Sequence, residues 1–251
     1  MDGTCAGAAR LLFREAAAGV GLPDELVYEG ATMASELSAN ALHASAGIQF
    51  DGVPPCPVAG APEIWLYLRR VGGEQELVCK VYDSLPGWKD GLEPEPEPGG
   101  NPLATESGRG LQVVAGLSEG RWGYHLTRAR LGGWRIPGKA VWFAVPVPAS
   151  NALDRFHRPQ PGSCQTATVL EHMLSERGLG SHIVRADAPG AGMSVLSIRR
   201  GLTVWCRSRV VSWTARGGRR ECRAFSDLVD ATEQIVRTHE ELVSAEPALS
   251  V

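Results

Sequence analysis

The chain has 251 residues, 43% of them hydrophobic, and a formal net charge of −3. That is enough apolar chain for one large domain or two smaller ones, and too little charge to demand nucleic acid or an anionic membrane as partner. No apolar run approaches the ~20 residues that span a bilayer, and Met1-Asp2-Gly3-Thr4 lacks the cationic start of a signal peptide, so a cytoplasmic protein is expected.

In chain order, residues 5–19 read as a helix with Leu11, Leu12 and Ala16 on one side. Pro23, Asp24 and Glu25 suit the first turn of a second helix, which runs to about Ser45. Residues 46–62, rich in proline and glycine, read as a loop. Glu63–Val71 and Gln75–Tyr82 read as strands joined by a tight Gly72-Gly73 turn. Residues 84–107 form a long loop whose centre, Glu93 to Gly100, alternates glutamate and proline; that pattern suits neither a helix interior nor a central strand and predicts an acidic, extended, mobile segment. Arg109–Leu117 reads as a short helix, and 121–128 and 139–147 as strands.

A proline-rich break over 148–163 separates a first domain, 1–147, from a second, 164–251. The second reads as a small α+β unit. It has a helix over 165–177, strands near 182–187, 193–206 and 210–215, and a closing helix over 226–243 with Ser226 as its N-cap.

The chemistry concentrates in the first domain. In Glu36-Leu37-Ser38-Ala39-Asn40, on a helix turning about 100° per residue, Met33, Leu37, Ala41 and Ala44 form an apolar stripe. Asn40 falls inside that arc and Glu36 at its edge. An amide facing a core needs a partner. Either it joins a satisfied core hydrogen bond, or its oxygen is a hard ligand for magnesium, with Glu36 orienting or deprotonating an attacking group. Asp83, ending a strand before Ser84-Leu85-Pro86-Gly87, is either a turn former or an acceptor for an exocyclic amine, with Gly87 admitting a ring. Gly108-Arg109-Gly110, just before a helix, serves a sharp turn or a phosphate cradle.

The order of these pieces, with Trp122-Gly123 and Gly138-Lys139-Ala140-Val141-Trp142 after them, resembles the anti-sigma-factor serine kinases of the gyrase, histidine-kinase and MutL ATPase superfamily over about residues 5–147. The resemblance implies an α/β fold whose first domain is a two-layer sandwich of helices on a mixed sheet, the Bergerat ATP-binding fold. It implies ATP or ADP and Mg2+ as cofactors, Glu36 as the catalytic or water-orienting acid, and Asn40 as the magnesium ligand. Asp83 and Gly87 would meet adenine, and Gly108, Arg109 and Gly110 the phosphates. Partners implied are a sigma factor or another transcription regulator, and an anti-anti-sigma protein as the phosphorylated antagonist. Direct nucleic-acid or membrane binding is not expected, and a homodimer is compatible. The departures are Leu85, where the family's aspartate box has glycine, and Ala140, where a threonine is common; both favour an alternative, a non-catalytic adaptor.

Elsewhere the expectations are structural. His43 reads as a polar rim residue, with a phosphate contact as the alternative, and His172 and His239 have no metal-ligand spacing. The six cysteines contain no C-x-x-C pair and read as free thiols. Asp227, Asp230 and Glu233 read as a solvated or capped first turn, Arg216 to Arg223 as a solvated basic stretch or docking patch, and Trp205 and Trp213 as core or interface. The second domain is expected to be a protein-interaction or dimerisation module with no chemistry of its own.

Overall fold

The structure is a computed structural model that describes residues 4–45, 61–85, 87–88, 109–131, 135–148 and 161–245. The expectations for the 46–60 loop, for the Glu-Pro segment and for Gly108 therefore lie outside the described residues. Contacts divide the chain into two compact units, Met1–Arg155 and Phe156–Val251. The described residues make a mixed α/β protein with five helices and two antiparallel sheets.

The first unit begins with helices α1 (Thr4–Gly19) and α2 (Asp24–Ser45). The buried stripe of α1 is Ala9, Phe13 and Ala17, spaced one turn apart, and not the expected Leu11–Leu12–Ala16 side. Leu11 and Leu12 are 58% and 43% exposed, because the fully buried Phe13 ring lies against α2 and dictates the rotation of α1. On α2, Met33, Leu37 and Ala41 are buried as their spacing requires.

Strands β1 (Glu63–Val71), β2 (Glu74–Asp83), β3 (Trp122–Arg128) and β4 (Pro137–Val147) form the sheet in the order β1-β2-β4-β3. Gly72 and Gly73, at φ 62° and 93°, make the two-residue turn between β1 and β2. Helix α3 (Arg109–Leu117) follows β2 in the chain and precedes β3.

The expected mixed sheet is instead antiparallel at every described pairing. The α3 crossover does join two strands of the same direction, β2 and β3. Strand β4 inserts between them, antiparallel to both, so no parallel ladder forms.

Side chains alternate across a strand, and the alternation divides this sheet cleanly. Leu77, Cys79 and Val81 of β2 and Val141, Phe143, Val145 and Val147 of β4 join Phe13, Leu37 and Val114 of the helices in one core. The opposite face is aromatic and polar. Trp65 stacks on Tyr82 at 5.9 Å, and Arg69 lies over Trp142 at 4.6 Å. Glu63 fastens one end of this face, accepting from the Trp65 indole and from the backbone N–H groups of Arg130 and Leu131.

The second unit is a meander. Helix α4 (Ser163–Glu176) leads to strands β5 (Val184–Ala188), β6 (Met193–Arg199), β7 (Leu202–Cys206), β8 (Val210–Thr214) and β9 (Arg220–Ala224), paired in sequence order, and helix α5 (Leu228–Ala245) closes it. Both helices pack with Leu196, Val204, Val211 and Trp213 on one face of the sheet.

Four expectations need correction here. The single strand over 193–206 is two strands, because Gly201 at φ 85° turns the chain back. The basic stretch after Arg216 holds an extra edge strand, β9, alternately exposed and half-buried. Ser226 does not cap α5; it lies within the single 3-10 turn Phe225–Asp227 that winds into the helix. Asp227, Asp230 and Glu233 are not solvated but 6%, 2% and 0% exposed. The inward half of α5 draws charge to match, as Arg223 Nε donates to Asp230 Oδ2 at 2.8 Å and Arg177 pairs with Glu233 at 3.3 Å.

Candidate functional site

Helix α2 carries Glu36 and Asn40 one turn apart, both half-buried, on the side toward α3. Gly110, the second residue of α3, is buried against them. A Cβ at Gly110 would stand 2.7 Å from Asn40 Nδ2, 3.1 Å from Glu36 Oε2 and 3.3 Å from Asn40 Oδ1. Only a bare Cα leaves room here, so two pieces about seventy residues apart in sequence meet at one point. Asn40 Nδ2 is buried, and no described residue accepts a hydrogen bond from it. Leaving such a group unpaired would cost about 1–3 kcal/mol, which makes Asn40 a candidate for meeting a ligand. The first turn of α3 has N–H groups without intrahelical partners, which favours an anion beside it.

Asp83 ends β2 and is in phase with Val81, Cys79 and Leu77, so its carboxylate projects from the helix-covered face. Directly opposite in the β2–β4 register stands Lys139. Both are buried, and Lys139 Nζ donates to Asp83 Oδ1 at 2.8 Å. The same oxygen accepts from the Leu85 N–H at 3.0 Å, and Lys139 Nζ also donates to the Leu85 carbonyl at 3.0 Å. Burial raises the Asp83 carboxyl above the ordinary carboxylate range, and the Lys139 charge and the hydrogen bonds from Lys139 and Leu85 oppose that rise without cancelling it. Lys139 Nζ lies 4.9 Å from the centre of the Trp88 ring, and Trp88 meets Tyr124 edge-on at 5.2 Å. Gly138 permits this corner, since a Cβ there would collide with the Asp83 carbonyl and the Tyr82 ring.

The sequence-predicted residues therefore fall into two groups on the helix side of the sheet. Glu36, Asn40 and Gly110 come together. Asp83 is engaged by Lys139, a residue read from sequence only as a strand start. The signal for Lys139 was its phase, two residues before Val141 and four before Phe143, which places it inward. Gly87 is exposed, with open space where a Cβ would stand, so no close approach explains it. Arg109 opens α3. His43 is exposed, its Nδ1 2.7 Å from the Ala39 carbonyl of its own helix.

Among the described residues, no three His, Cys, Asp or Glu side chains group to hold a metal, so a cation at Asn40 needs a ligand to bring most of its oxygens. No described helix is long and apolar enough to cross a membrane. Neither family models, nor curated proteins, nor solved structures match this chain.

Proposed function

We propose that the first unit is a nucleotide-binding module of the Bergerat type, and that the chain is an ATP- and Mg2+-dependent regulatory switch of the anti-sigma-factor kind. The observation that carries this reading is the meeting of Glu36, Asn40 and Gly110, with a buried amide N–H that no described residue accepts, beside a helix start. The parts suit a magnesium triphosphate. The α3 N-terminus offers N–H groups to phosphate oxygens, and Asn40 Oδ1 offers the one protein oxygen a hydrated Mg2+ needs. Glu36 Oε2 stands beside both, where a general base would be placed. The two-layer arrangement and the β2-α3-β3 crossover agree with that fold. Transfer of the terminal phosphoryl to a serine of an antagonist protein would need only this positioning, the metal and the acid. A sigma factor or another transcription regulator is then the controlled partner.

Calorimetric titration with ATP and Mg2+ tests the reading. One site per chain is expected, and Asn40→Ala should abolish the magnesium dependence. No heat at millimolar nucleotide would sink it.

A second reading, a non-catalytic adaptor, is favoured by one observation. Asp83, the residue expected to select adenine, already holds an internal cation. The adaptor binds nucleotide or partner but transfers nothing, so Glu36→Gln would leave its regulatory effect intact. A kinase would lose it.

A further inference from the structure

We infer that Lys139 sets the base specificity of the nucleotide site: by occupying the inner oxygen of Asp83 it removes adenine selection and leaves a site that accepts either purine triphosphate. This rests on the nucleotide-binding reading above and adds a residue to it.

Acceptor capacity decides what Asp83 can offer a base. A carboxylate has two oxygens with about two acceptor positions each. Asp83 Oδ1 is filled by Lys139 Nζ at 2.8 Å and the Leu85 N–H at 3.0 Å. What remains for a ligand is Oδ2, next to an ammonium. Lys139 is not poised to leave: two of its three N–H groups go to Asp83 Oδ1 and the Leu85 carbonyl, the Trp88 ring lies 4.9 Å away, and the residue is 4% exposed, so the third N–H is the one it can offer a base. Breaking the pair would strand a buried charge.

A lone carboxylate discriminates between purines by sign. Adenine offers it the N6 amine as a donor, whereas guanine presents the O6 acceptor at the same position and is repelled. Acceptor and ammonium side by side behave differently. Adenine can give N6–H to Oδ2 and take a hydrogen bond at N1; guanine can give N1–H to Oδ2 and take one at O6. Each base pairs a donor with an acceptor, so the basis for rejecting guanine is gone. Specificity of the strong kind arises when the wrong ligand leaves a buried group unpaired, and here neither does. Trp88 and Tyr124, half-buried at this corner, provide an aromatic edge that tolerates any base.

The experiment measures dissociation constants for ATP and GTP, each with Mg2+, on the full chain and on Lys139→Met, which keeps the stem and loses the ammonium, at a pH above the Asp83 titration of both proteins so that the carboxyl stays ionised. The wild-type constants should agree within about threefold, and Lys139→Met should favour ATP by about tenfold or more, the scale of one charge-assisted hydrogen bond regained. A double variant, Asp83→Asn with Lys139→Met, removes both charges, and its ratio should return near one because an amide serves as donor or acceptor. Circular dichroism checks that each variant folds. Should Lys139→Met not fold, the wild-type ratio decides: a tenfold preference for ATP in the unaltered chain overturns the inference while leaving the nucleotide site standing. An unchanged ratio in folded Lys139→Met overturns it equally. Absence of binding by both nucleotides to every protein removes the site itself, and the inference with it.

Discussion

Two glycines of α3 make a controlled experiment within one helix. At Gly116 a Cβ would meet no described atom within 4 Å, and the residue is exposed. Alanine is favoured over glycine in a helix by about 0.8–1.0 kcal/mol, so Gly116→Ala should raise the melting temperature by about 2–4 °C. At Gly110 the same methyl would stand 2.7 Å from Asn40 Nδ2. Ordinary contact needs about 3.5–4.0 Å, so about 1 Å must come from rotation of Asn40 or a slide of α3. Overpacking of this size costs about 1–3 kcal/mol, which cancels the helix gain or exceeds it. Gly110→Ala should therefore melt at or below the wild-type temperature and bind ATP with Mg2+ at least tenfold more weakly, about 1.4 kcal/mol. Differential scanning calorimetry and isothermal titration read the two effects separately. If Gly110→Ala stabilises as Gly116→Ala does and binds as the unaltered chain does, the bare Cα is no cradle and the site reasoning fails.

Three further outcomes are expected. The Asp83 carboxyl, raised by burial, binds its proton more tightly folded than unfolded; its contribution to stability is complete below the unfolded value and is lost as pH rises through the folded one, so carbon NMR should show Asp83 titrating after the exposed acids. Glu233→Gln removes the carboxylate charge that Arg177 meets in the buried pair and should cost about 3–5 kcal/mol in denaturant unfolding, whereas Arg177→Met with Glu233→Leu should recover most of it; additive losses would refute the coupling. A maleimide at neutral pH should label Cys164 and Cys222 and spare Cys79 and Cys206 in the native chain, since the first two are exposed and burial pushes the Cys206 thiol up to about 12.

Where periodicity carried the fold, it carried it well. The Gly72-Gly73 turn, the extent of β1 and the whole of α3 follow from local chemistry, since turn glycines and amphipathic spacing act over a few residues. The second unit was less legible for physical reasons. Leu202 to Cys206 continues the alternation of Met193 to Arg199, so only Gly201 marks the reversal, and a lone glycine within a strand-like run is ambiguous. Strand β9 reads Arg-Glu-Cys-Arg-Ala, a charged edge that imitates a solvated loop. Asp230 and Glu233 looked solvated because acids usually are; their burial depends on Arg223 and Arg177, which lie in other elements and cannot be paired with them by spacing alone.

The candidate site divides along the same line. Glu36 and Asn40 share a helix, so their common face was readable, and Gly110 was readable as a residue needing backbone freedom. That the two meet is a tertiary fact set by α3 returning onto α2, and it gives Gly110 a reason that turn chemistry does not: its missing Cβ is space beside Asn40. Asp83 shows the converse. Its position at a strand end was legible, but the identity of its partner depends on a register that puts Lys139, fifty-six residues later, directly across the ladder. Had β4 slipped by one residue, Ala140 would face Asp83, every inward side chain of β4 would turn outward, and the carboxylate would be bare. The register is held by Val141, Phe143, Val145 and Val147 in the core, so the chemistry presented at Asp83 is decided by the packing of four apolar side chains beyond it on the same strand.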